Sequence, residues 1–290
     1  MGRRSSWLLL LCMNFMFIAE PAIFHARGAG HPRNANVSFE LYRDYLIVLQ
    51  ARVGPLKGLN FLLDTGATPS VIDPRIAAKL HLEAVPTDIA VLQGTARGAT
   101  ATVPSLQIGP VLKENLPVLV EDLSFVQKVV PVHLDGIVGL DVLGQGAFTI
   151  DYREHKIEFG PITGLTTSVP LVSSRGLALV TATVNHEPVQ LLLDTGAPSL
   201  MLFKRAATPG IKTAAFDVST KSIGDYDHKA LRLSSLDLGA AIFTESVAYF
   251  VPSPGDAGHD FDGLMSPAAL GITRIAFDLG RGEMSFSRGR

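Results

Sequence analysis

The chain has 290 residues, 47% hydrophobic and only 18% charged, which is ample material for one large core or two smaller ones and unlike a disordered composition. A formal net charge of −2, with no basic cluster in the body of the chain, excludes reliance on nucleic acid or another polyanionic partner. Cys12 is the single cysteine, which excludes a disulfide framework.

The first residues read as a targeting segment. Arg3-Arg4 precede an apolar stretch from Trp7 to Ile18, interrupted by Asn14 and ended by Glu20-Pro21. It is too short for a span of about 20 residues, so a signal peptide over residues 1–28 is expected, cut after Ala26 or Gly28, where small residues cluster. Cys12 lies inside the apolar stretch and not at its end, the wrong place for lipid attachment. The expected mature chain is exported, periplasmic or secreted, has no stable membrane insertion, and contains no thiol. Losing Arg3, Arg4 and Arg27 against Glu20 alone makes it slightly more acidic.

From Phe39 to Ala51 the residues are aromatic and β-branched, as in a strand. Gly54-Pro55 and Lys57-Gly58 mark a turn, and Leu59 to Leu63 return into Asp64-Thr65-Gly66-Ala67. The apolar run Phe61-Leu62-Leu63 predicts a strand buried on both faces, so Asp64 leaves it at the floor of a cleft. Gly66 permits a sharp turn that aims the carboxylate.

Val71-Ile72 continue as a short strand, and Asp73-Pro74 start a helix as N-cap and first position, with Ile76, Ala77 and Leu80 facing inward. Gln93 to Gly98 form a glycine-bounded hairpin tip placed to fold over a substrate. Ser105 to Gly109 and Leu116 to Val120 are further strands. Asp135-Gly136-Ile137-Val138-Gly139-Leu140 then lead into a short helix through Leu143. Phe148–Tyr152 and Lys156–Phe159 close this half as a hairpin, and Gly160 to Gly164 mark a boundary.

The series then repeats. Leu177 to Val184 form a strand, His186-Glu187-Pro188 a turn, and Val189 to Leu193 approach Asp194-Thr195-Gly196-Ala197. Ser199 answers Ser70, Ser235-Leu236-Asp237-Leu238-Gly239 answers Ser105 to Gly109, Asp262 to Met265 answers Asp135 to Val138, and Asp278 answers Asp151. These pairs lie 127 to 130 residues apart, a near-constant offset that two copies of one β-rich unit explain. Tyr226 is read as a solvent-facing turn residue, and Ser266-Pro267 as the cap and first position of a helix.

A doubled Asp-Thr-Gly-Ala at the end of an apolar strand resembles the aspartic proteases of the pepsin and retropepsin group. The resemblance implies a mainly β fold of two tandem β-barrel lobes, residues 29–162 and 163–290, related by a pseudo-twofold with the active cleft between them. Asp64 and Asp194 are then the catalytic pair, supported by Thr65, Gly66, Thr195 and Gly196. Ala67 and Ala197 resemble the retroviral type, since a hydroxyl residue usually stands there in the pepsin type. Ile137-Val138-Gly139 resembles the element that packs beside the active loop, and the second half departs from it with Ser266 in place of glycine.

Two neighbouring carboxylates cannot both ionise freely, so such a pair shares a proton and activates a water without metal, cofactor or covalent intermediate. The implied partner is a polypeptide in extended conformation, and a monomer holds a complete site. Competing readings are a protein of the same fold that grips a peptide without cutting it, and a glycosidase, whose carboxylates stand farther apart. The eight histidines are scattered, and no His/Cys grouping has metal spacing.

Overall fold

The structure, a computed structural model, describes residues 35–91, 94–124, 126, 129–203, 206, 216–223, 226–251 and 260–289; the expected signal peptide lies outside them. The fold is mainly β. Its first half contains β1 (Ala35–Tyr42), β2 (Leu46–Val53), β3 (Leu56–Leu63), β4 (Val71–Ile72), α1 (Pro74–Lys79), β5 (Val85–Val91), β6 (Gly94–Ile108), β7 (Val111–Val120), β8 (Gly136–Val138), α2 (Leu140–Leu143), β9 (Phe148–Asp151) and β10 (Lys156–Phe159).

Residues 39–51, expected as one strand, are two. Arg43 and Asp44 take φ of 51° and 66° and turn β1 back onto β2. No glycine announces this turn; Asp44 tolerates the left-handed region because its short polar side chain does. The next turn is at Gly54-Pro55, and Lys57 and Gly58 already belong to β3. β2 explains why its neighbour is buried on both faces. Ile47, Leu49, Ala51 and Val53 enter the central core, while Leu46 and Val48 join a smaller cluster with Leu62, Ala67 and Ile137.

Asp73 caps α1 by accepting from the Arg75 N–H at 3.0 Å, with Ile76 and Ala77 buried and Leu80 half-buried at its end. β5 and β6 pair from Val85–Thr100 to Val91–Gly94, so Thr95 to Gly98, expected in a hairpin tip, are strand, and Gln93 lies outside the described residues. β8 lies between β3, to which it is parallel, and β4, to which it is antiparallel, with Ile137 opposite both Leu62 and Val71.

The second half contains β11 (Thr167–Ser174), β12 (Leu177–Val184), β13 (Glu187–Leu193), β14 (Leu200–Phe203), β15 (Phe216–Ile223), β16 (Tyr226–Arg232), β17 (Leu236–Leu238), β18 (Ala241–Phe243), β19 (Val247–Val251), β20 (Gly263–Met265), β21 (Ile272–Asp278) and β22 (Glu283–Arg288). Here β20 is parallel to β13 and antiparallel to β14, and β14 is parallel to β19 as β4 is to β7. The turn before β13 is Asn185-His186, both at positive φ, and Glu187 and Pro188 are already strand. Tyr226 is likewise a strand residue opposite Ile223, not a turn.

The closing hairpins of the two halves do more than finish each unit: they pair with each other. One sheet runs β1, β10, β9, β21, β22, β11, using the first part of β1 and of β11. In its centre Phe148 faces Phe277 and Ile150 faces Ile275. Under the 127-residue offset these two pairs exchange and Thr149–Ala276 maps onto itself, as a local twofold axis through that pair requires.

Phe148 and Phe277 stack with ring centroids 5.0 Å apart. Arg274 of β21 reaches Asp151 and Glu158 of the other half, each at 2.9 Å. The halves are therefore joined by backbone, aromatic and ionic contacts. Phe277→Ala is expected to lower stability by about 3–5 kcal/mol through the cavity it opens, seen as a lower urea midpoint at unchanged slope.

Candidate functional site

β3 and β13 both end where a parallel neighbour continues. The Asp64 N–H donates to Val138 O, and the Asp194 N–H to Met265 O, each at 3.0 Å. Each loop then turns through its glycine, whose N–H donates to the preceding carboxylate: Gly66 to Asp64 Oδ1 at 2.8 Å and Gly196 to Asp194 Oδ1 at 2.9 Å.

The threonines cross between the halves. Thr65 N–H donates to Thr195 Oγ1 at 3.0 Å and Thr195 N–H to Thr65 Oγ1 at 3.1 Å. Their hydroxyls donate onward, Thr65 to Leu193 O at 2.8 Å and Thr195 to Leu63 O at 3.2 Å. All four bonds run from one half to the other, and every group involved is buried. A slip of either loop would strand these donors without water to replace their partners. The sequence-expected residues Asp64, Thr65, Gly66, Asp194, Thr195 and Gly196 thus gather at one place.

Asp64 is 1% exposed and Asp194 0%, and the charge of the Asp194 carboxyl falls directly on that of Asp64. Burial, and next the charge of Asp194, hold the Asp64 carboxyl well above the usual range, against the opposing pull of the Gly66 N–H. Gly66 also has a different purpose from the one its turn suggested. It is not at positive φ; instead, a Cβ there would stand 2.8 Å from Asp194 Cγ. The glycine makes room for the opposite carboxyl.

Two residues that sequence reasoning did not single out belong to the first loop. Ser70, fully buried, donates from its N–H to Asp141 Oδ2 at 2.8 Å and from its hydroxyl to Asp141 Oδ1 at 2.7 Å, and accepts from Gly139 N–H at 3.0 Å. The available signal was an aspartate two residues after Gly139, with alanine at the corresponding Ala268. Ser266, expected to cap a helix, does not. A single 3₁₀ turn, Ala268–Leu270, follows Pro267 without a side-chain cap, and the buried Ser266 hydroxyl has no hydrogen-bond partner among the described residues. The turn starts one residue later than expected, so Pro267 holds the cap position and Ser266 stands before it.

Tyr152 is buried beneath the site, and burial together with the Asp194 charge pushes its phenol up, so it stays neutral. A cavity of about 440 Å³ lies elsewhere, between Pro161–Ser168 of the connector and Asp278, Arg281 and Glu283, and includes none of the paired aspartates or threonines. Chemistry assigned to the dyad therefore rests on the geometry of the carboxyls and not on that cavity. Among the described residues no three His, Cys, Asp or Glu side chains gather as a metal site.

Comparison with known families finds a match over part of the chain. Residues 49–142 match the family described as aspartyl protease. The matched stretch starts in β2, includes Asp64, Ser70 and Asp141, and ends in α2, before the second half begins. Among curated proteins no sequence matches. The first half is thus similar to an aspartyl protease domain, and the second half presents the same loop against it.

Proposed function

We propose that the protein is an aspartic endopeptidase that hydrolyses peptide bonds with a water activated by Asp64 and Asp194. The observation that carries this reading is the pair of buried carboxyls brought together where the two strand ends meet and the threonines cross. The pair holds one proton. Its ionised member takes a proton from a water between the carboxyls, the water attacks the peptide carbonyl, and the protonated member donates to the developing oxyanion. The neutral tetrahedral intermediate then collapses: the protonated member gives its proton to the leaving amine as the C–N bond breaks, while the other carboxylate takes a proton from a hydroxyl of the intermediate, so the pair again holds one proton.

Thr65 and Thr195 hold the two loops in register, while the Gly66 and Gly196 amides orient the carboxylates. The substrate is a polypeptide bound extended, and one chain supplies both aspartates. Export by the segment at residues 1–28 would put this activity outside the cytoplasm.

The mature chain is expected to cleave casein, and Asp64→Asn or Asp194→Asn to lower kcat by at least about a thousandfold, measured by release of acid-soluble peptide. Equal cleavage by wild type and variants would remove the dyad from the mechanism. Binding of an extended peptide without cleavage by the wild type would favour a peptide-gripping protein instead.

The pH dependence follows from the raised Asp64 carboxyl. Because the pair keeps its proton to higher pH than ordinary carboxyls, the activity profile is expected to lie on the less acidic side; a maximum at about pH 2–3, below the pair's working range, would contradict it. Folding stability should show the same sign. An unfolded Asp releases its proton near 3.8, whereas the folded pair retains it, so wild-type stability falls as pH rises from there through the folded value. Asp64→Asn, neutral throughout, is expected to gain stability relative to wild type over that window in urea titrations, with the difference gone below it.

A further inference from the structure

The seven residues from Asp64 to Ser70 are anchored at both ends to a single short segment, Val138 to Asp141. Asp64 is bonded to Val138 O, Ser70 Oγ accepts from Gly139, and Ser70 donates twice to Asp141. Between the anchors the loop presses on the same segment: a Cβ on Gly139 would lie 2.1 Å from Ala67 O. The segment is the mould against which the first active loop is set.

Asp141 is the costly part of that mould. It is a half-buried carboxyl, and burial pushes it up despite the bonds from Ser70 and the Val142 N–H and the opposing charge of Lys113. A carboxylate offers two oxygens in one plane, which is what receives the Ser70 N–H and O–H together and leaves Ser70 Oγ free to accept from Gly139.

Among the described residues the second half shows no such clamp. Ala268 occupies the place of Asp141, Ser266 that of Gly139, and Ser199 is only half-buried where Ser70 is fully buried. The second loop keeps its own strand-end bond to Met265 O and is tied to the first through the crossed threonine bonds.

We propose that Asp141 is a positioning residue for the whole dyad: it fixes Ser70 and the Asp64 loop, and that loop fixes the Asp194 loop. This rests on the dyad reading for its kinetic consequence, though not for its structural one. Asp141 touches no substrate, so its loss acts on the geometry of the carboxyls and appears in kcat more than in KM.

The test uses Asp141→Ala, Asp141→Asn, Ser70→Ala and the double variant Ser70→Ala/Asp141→Ala in the mature chain, with kcat and KM measured per folded molecule. Asp141→Ala is expected to lower kcat by about 10- to 100-fold with KM little changed. Asp141→Asn recovers most of the loss, because its amide oxygen still accepts from Ser70 N–H. The double variant falls no further than Asp141→Ala, since both act through one interaction. In parallel, amide hydrogen exchange at Thr65, Gly66 and Thr195 is expected to speed at least about tenfold in Asp141→Ala, with the β9 and β21 amides unaffected.

Wild-type kcat per folded molecule in Asp141→Ala, independent losses in the double variant, or unchanged exchange at the three loop amides would each overturn the proposal. Asp64→Asn, run alongside, separates the two readings. If it stays active, or the wild type cleaves nothing, the dyad mechanism fails while the exchange measurement still decides whether Asp141 holds the loops.

Discussion

Two carboxyl groups meet in a place that water scarcely reaches, and the fold is arranged to keep them there. Separated, each would be hydrated and ionised; brought together under cover, they can hold only one charge between them at low cost. The compensation is local and geometric. Each carboxyl receives a glycine N–H, and the strands that carry them end against the parallel neighbours β8 and β20.

Holding such a pair requires that the halves not slide. The central sheet meets this with β9 and β21 paired across the local twofold, Phe148 on Phe277, and Arg274 between Asp151 and Glu158. Above it, the threonine bonds make each loop a hydrogen-bonding partner of the other strand's last carbonyl. The sheet sets the relative position coarsely, through burial of large apolar groups; the threonines set it finely, because hydrogen bonds between buried groups tolerate little displacement.

The halves are repeated in topology but unequal in detail. The first loop is clamped by Ser70 and Asp141 and pressed against Gly139, whereas in the second Ser266, whose hydroxyl has no hydrogen-bond partner among the described residues, stands in the place of Gly139 and Ala268 in that of Asp141. A duplicated unit whose copies share one site need build the costly support only once, provided the copies are tied together. The family match over residues 49–142 falls on the copy that has the support.

Much of this could be read along the chain, and the rest could not. The apolar runs ending in Asp64 and Asp194, the Asp73 cap, and the constant offset of the repeat are local patterns, since each depends on neighbours within a few residues or on direct comparison of two segments. The turn at Arg43-Asp44 escaped because no glycine or proline marks it, and Tyr226 was misplaced because a polar, glycine-containing stretch reads as turn whether or not its flanks pair. Gly66 was recognised as necessary, but for its turn and not for the Asp194 carboxyl beside it. The sequence by itself determined two like β units, each delivering an aspartate from a buried strand end. Only the tertiary structure decided that the closing hairpins merge into one sheet, that the threonines cross, and that Asp141 reaches back to Ser70, because each depends on groups 70 or more residues apart, and no local pattern reports which distant strand a backbone edge will choose.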